Sequence, residues 1–182
     1  LNKKVNKKLF NQFENIVDVG TLEHVFDTHL ALENYIQMLK KGGHLLIAVP
    51  CSNMIDHGFY TFSPTLFHDY FTSNNFKILG CYLRESSPFM YEYKSNIYEY
   101  KKLGSEIPFI SDRAVEFIVL AKKVKNIKKV NKPIQSVYLN KKGWKKNETS
   151  SNLKLKKSLY FFIKKVVFGS LLFLEFSKLS FL

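Results

Sequence analysis

The stretch from Gly20 to Pro50, GTLEHVFDTHLALENYIQMLKKGGHLLIAVP, constrains the fold more than any other, because a helical periodicity lies between two short apolar runs. Just before it, Asn15 to Val19 is apolar and ends at Gly20, the pattern of a buried parallel strand entering a tight turn. From Asp27 or Thr28, Leu30, Leu32, Tyr35, Ile36 and Leu39 recur at helical spacing, with Glu33, Asn34, Gln37, Lys40 and Lys41 mostly on the other side. The helix is predicted to stop at Gly42-Gly43, where glycine takes a left-handed conformation cheaply and two lysines suit the negative end of the helix dipole. Leu45 to Val49 has no polar alternation and reads as a strand covered on both faces, which Pro50 ends.

The order strand, helix, glycine pair, strand, with "LEHV" after the first strand and "LKKGGHLLIAVP" into the second, resembles the class I S-adenosylmethionine-dependent methyltransferases. The string HGFYTFSP, His57 to Pro64, is similar to a subgroup of that family, and the likeness spans about Phe13 to Lys123. The resemblance implies an α/β fold in which these residues form a partial Rossmann-like sheet, strands 4, 5, 7 and 6 of the order 3-2-1-4-5-7-6, with flanking helices. It also implies a glycine-rich cofactor turn after the first strand of the whole sheet. No GxG occurs in the 182 residues, so the chain reads as a fragment in which residues 1–12 are a lead-in and 13–123 are the later part of the domain. Strand 4 would then be an edge, open to pairing with a second copy.

Ligands of such sheets bind beyond the carboxyl ends of the parallel strands. On that basis Asp18, Gly20, Thr21 and Glu23 are the candidate contacts of S-adenosylmethionine, and Pro50, Asn53 and Tyr60 face a small-molecule or sugar-like acceptor. Thr21 is also a candidate cap for a turn at Glu23-His24. His57, in a loop before Gly58, and His24 are the candidate catalytic residues, since imidazole accepts a proton near neutrality. Each has a plain alternative, a histidine that only fixes a turn. His29, His44 and His68 read as surface or helix-face residues, and no set of His, Cys, Asp and Glu has the spacing of a metal site. Cys51 and Cys81 lie far apart, which fits small buried hydrophobes in a reducing cytoplasm.

Further on, Ser63-Pro64 has the form of an N-cap with proline in the first turn, opening a helix to Ser73. Phe76 to Tyr82 and Val115 to Lys122 read as an antiparallel pair. Between them, Arg84 to Asp112 carries Tyr91, Tyr93, Tyr98 and Tyr100, either as a substrate-side lid or as an excursion packing its rings on the core.

Charge divides the chain in two. Up to Leu120 there are 12 Lys and Arg against 13 Asp and Glu, whereas from Ala121 onward 16 lysines face only Glu148 and Glu175. The basic balance therefore belongs to the tail, and any nucleic-acid contact rests on it alone. Residues 124–157 read as a solvated lysine-rich linker. Residues 158–182 are strongly apolar, yet the longest uncharged run, Val166 to Leu174, is far below the ~20 residues of a membrane span. A C-terminal amphipathic helix on an anionic membrane surface, or docked on a partner helix, is one expectation for them; a stretch without a role is the other. A non-catalytic or membrane-associated module pairing through its open sheet edge is the alternative reading of the whole chain.

Overall fold

A computed structural model of the chain describes residues 1–86, 95–102 and 109–139 together with the backbone of 154–155. Tyr91 and Tyr93 and the whole of 158–182, with its expected helix, lie outside the described residues. The fold is mixed α/β around one open sheet. Its elements are β1 (Phe13–Val19), α1 (Thr28–Met38), β2 (Leu39–Ser52), α2 (Pro64–Ser73), β3 (Phe76–Glu85), β4 (Asn96–Glu99), β5 (Val115–Lys123), α3 (Ser136–Leu139) and the two-residue β6 (Lys154–Leu155). The strand order is β1-β2-β5-β3-β4-β6. Strands β1 and β2 are parallel, and β5 lies antiparallel between β2 and β3.

Helices α1 and α2 share one face. Leu32, Tyr35 and Ile36 of α1 and Phe67, Tyr70 and Phe71 of α2 pack with Leu45, Ile47, Val49, Phe117 and Val119 in one core. The stacked Phe67 and Phe117 rings, 5.7 Å apart, add roughly 0.5–1.5 kcal/mol beyond their buried area. Strand register then puts Leu46, Ala48, Ile118, Leu120 and Tyr82 on the opposite face, as a second apolar cluster. Leu45 to Val49 are buried throughout, as their unbroken apolar pattern requires. On β1, Val17 and Val19 continue the second face as neighbours of Leu46 and Ala48 but are exposed, because among the described residues no strand pairs with the outer edge of β1.

Local signals account for the helix starts. Asp27 Oδ1 accepts from Leu30 N (3.0 Å) at the head of α1, and Ser63 Oγ accepts from Thr65 N (3.4 Å) ahead of Pro64 at the head of α2. The end of α1 departs from the expectation, for it stops at Met38 rather than at Gly42-Gly43. The cause is remote in sequence. Buried Lys123, at the end of β5, donates its Nζ to Ile36 O (2.8 Å) and Leu39 O (2.6 Å), meeting the open carbonyls of the last turn. The glycine pair serves β2 instead: Gly42 has φ +84°, and a Cβ on Gly43 would lie 2.7 Å from Glu14 O across the sheet. Pro50 does not end its strand either. It pairs with Glu116, the register shifts before Ser52, and Pro50 O accepts from Phe62 N (2.8 Å). That placement suits proline, which lacks only the donor and sits where the ladder is already irregular.

Two stretches taken as extensions are tied to the core where they are described. At the amino terminus, buried Asn34 accepts from Val5 N (3.1 Å) and donates to Lys3 O (2.9 Å), so this polar residue of α1 is satisfied by the lead-in. Within the lysine-rich stretch, residues 124–139 run across α2 rather than free. Asn74 Nδ2 donates to Asn131 O (2.9 Å), Asn131 N donates to Asn74 Oδ1 (2.8 Å), and Ile127 and Val130 pack on the core. In the excursion after β3, the described tyrosines lean on the core: Tyr98 donates to Glu85 Oε2 (3.1 Å) and Tyr100 meets Phe117 edge-on. Among the described residues no helix is long and apolar enough to cross a membrane.

Candidate functional site

The carboxyl ends of β1 and β2 point the same way because the strands are parallel, so the segments leaving them meet. The chain leaves β1 through Gly20, whose N–H bonds Ala48 O (3.1 Å), into a 3₁₀ turn, Leu22–His24. Thr21 heads this turn without a side-chain cap. Asp18 supplies it from behind, Oδ1 accepting from Thr21 N (3.0 Å) and Oδ2 from Tyr35 O–H (2.8 Å). Burial, reinforced by the neighbouring Asp18 carboxylate, pushes the Tyr35 phenol far above its ordinary range, so this bond keeps its proton on Tyr35.

The loop leaving β2 folds back over that turn. Phe59 N donates to Glu23 O (2.9 Å), and Tyr60 O–H donates to Phe26 O (2.9 Å). Gly58 sits in the contact: a Cβ there would lie 3.0 Å from Glu23 O, 3.1 Å from Glu23 Cγ and 3.2 Å from His24 Nδ1. Farther back, Asn53, at φ +57°, donates to Ser111 O (2.6 Å) and Arg113 O (3.0 Å) and ties the loop to the approach to β5.

This packing assembles three side chains. Glu23 is 1% exposed, and neither of its carboxylate oxygens has a hydrogen bond. His57 Nε2 stands 3.3 Å from Glu23 Oε1 and His24 Nε2 stands 3.8 Å from it, both within ion-pair distance and neither a hydrogen bond. The two imidazole rings lie 5.4 Å apart and are about half exposed, so the carboxylate forms the floor and the histidines the rim. One ligand atom from each of the three lies within 4.8 Å of the others. Exposed Phe26 and Phe59, edge to face at 6.0 Å, stand beside them.

Of the residues expected from sequence, Glu23, His24 and His57 come together. Asp18 and Asn53 have their side-chain polar atoms occupied by the scaffold, Tyr60 props the two loops, Pro50 stays in the sheet, and Gly20 and Thr21 are exposed at the strand end. The three-residue cluster itself was hidden by spacing, because Glu23 and His24 are adjacent and His57 comes after a helix and a strand. Both cysteines are reduced, and burial raises Cys51 to about 11 and Cys81 to about 12, which makes them inert packing groups. The chain matches no protein-family model, no curated protein and no solved structure.

Proposed function

We propose that these residues form the acceptor side of a class I-like, S-adenosylmethionine-dependent methyltransferase domain acting on a small-molecule acceptor. The observation that carries the reading is the sheet: β1-β2-β5-β3, one parallel pair followed by an antiparallel pair, repeats the order and directions of strands 4, 5, 7 and 6 of that Rossmann-like fold. The joined loops at the carboxyl ends of its parallel pair agree with this, since that is where such folds place ligands.

The described residues do not by themselves fit the cofactor. The Asp18 carboxylate is turned into the scaffold, Glu23 is closed beneath two imidazoles, and the 182 residues contain no GxG turn. What the chain offers to an acceptor is the exposed Phe26–Phe59 pair beside two half-exposed imidazoles, at the carboxyl ends of the parallel strands.

The exposed Val17 and Val19 on the free edge of β1 support either further strands of the same domain or a second chain against that edge. One experiment separates these. Labelled S-adenosylmethionine is titrated into the 182-residue chain and into a protein extended upstream of Leu1 in its reading frame. The reading predicts no micromolar binding by the first, and binding by the second through a strand followed by a glycine-rich turn. An extended protein that lacks such a turn and binds no cofactor refutes it.

A further inference from the structure

We propose that Glu23, His24 and His57 form a three-ligand site for a divalent transition-metal ion, with zinc as the best fit. Burying a carboxylate without hydrogen bonds is costly, and native proteins almost always supply partners. Glu23 has none, yet its Oε1 lies within 4.0 Å of two imidazole nitrogens. Two donors each about 2.0–2.1 Å from zinc at the tetrahedral angle stand roughly 3.3–3.4 Å apart. The His57 nitrogen is at 3.3 Å from Oε1 and the His24 nitrogen at 3.8 Å, and one ligand atom from each residue lies within 4.8 Å of the others, so rotation of two half-exposed rings brings all three donors toward one ion. An ion between these atoms also explains why the closest nitrogen approaches the carboxylate without making a hydrogen bond.

The donor set selects the metal class. Two imidazoles and one carboxylate suit zinc and its first-row neighbours, whereas calcium and magnesium prefer all-oxygen shells. Three protein ligands with an exposed rim leave coordination positions for water or an acceptor oxygen, the pattern of catalytic rather than structural zinc. Gly58 keeps the loops close enough for this, and the Phe59 N–H and the Tyr60 hydroxyl hold them by donating to Glu23 O and Phe26 O.

This assignment stands apart from the methyl-transfer reading. It needs only three side chains of this chain, and cofactor binding plays no part in its test. A chelator-treated sample of the full 182-residue chain is titrated with zinc in competition with a chromophoric chelator, and separately with cobalt(II). One zinc per chain at micromolar affinity or tighter is expected, with a cobalt spectrum that shows no thiolate charge-transfer band. Glu23→Gln and His57→Ala should each weaken zinc by at least tenfold, while His44→Ala and His68→Ala leave it unchanged. His57 is half exposed, so its variant folds and decides the matter even where the buried substitution does not. Absence of stoichiometric zinc, or equal affinity in wild type and His57→Ala, overturns the proposal.

Discussion

Two buried carboxylates, Glu23 at the strand ends and Asp69 on α2, are treated by this protein in opposite ways. Asp69 is 6% exposed and saturated: Lys102 Nζ contacts Oδ1, Ser136 N donates to Oδ2 (2.9 Å), and His68 Nδ1 lies 3.3 Å from Oδ1. Lys102 also donates to Ser136 Oγ (2.7 Å), so one carboxylate gathers α2, the segment after β4 and the start of α3. Burial alone would raise the Asp69 carboxyl, but Lys102, the Ser136 N–H and His68 together hold it below the usual aspartate range. Glu23 is buried more deeply and has no hydrogen bond. One acid fastens the fold; the other is held in reserve beneath two histidines.

The contrast breaks first at Asp69. Asp69→Ala leaves Lys102 and the Ser136 N–H without their acceptor and should destabilise the chain by about 3 kcal/mol, measured by urea unfolding. The same group sets an acid branch. Its folded-state pKa lies below the unfolded one, so its contribution is fully present above the unfolded value, about 4, and is lost as pH falls through the folded value. Urea unfolding at descending pH should therefore show a shallower acid decline in Asp69→Asn than in wild type.

Gly58 sharpens the other side of the comparison. A methyl at position 58 meets backbone and side-chain atoms of Glu23 within 3.1 Å, so Gly58→Ala should part the loops and weaken zinc about tenfold, at a stability cost of only about 1 kcal/mol. The smallest expected effect belongs to Glu23→Gln in metal-free protein. No hydrogen bond is lost and a buried charge is removed, so stability should stay within about 0.5 kcal/mol of wild type or rise. A loss comparable with that of Asp69→Ala would mean that Glu23 is simply another structural acid.

What could be read from the sequence was what depends on neighbours along the chain. The apolar runs of β1, β2 and β5, the Ser63 cap and the periodic face of α1 all rest on residues within a few positions of each other. The end of α1 was misplaced because Lys123, which meets its carbonyls, comes from β5, distant in sequence. Asn34 was placed among the polar residues, but the lead-in it binds buries it. Likewise, Glu23, His24 and His57 were picked out singly as strand-end residues, while their convergence depended on the β2 loop folding back through Gly58 and Phe59. Spacing in sequence carries no record of that fold-back.

The most direct test of an acid reserved for an ion is urea unfolding of wild type and Glu23→Gln, each with and without zinc. Zinc at about a hundred times the wild-type dissociation constant should stabilise wild type by about 2.7 kcal/mol and Glu23→Gln, binding at least tenfold more weakly, by about 1.4 kcal/mol or less. Equal stabilisation of both proteins, or of neither, would contradict the account.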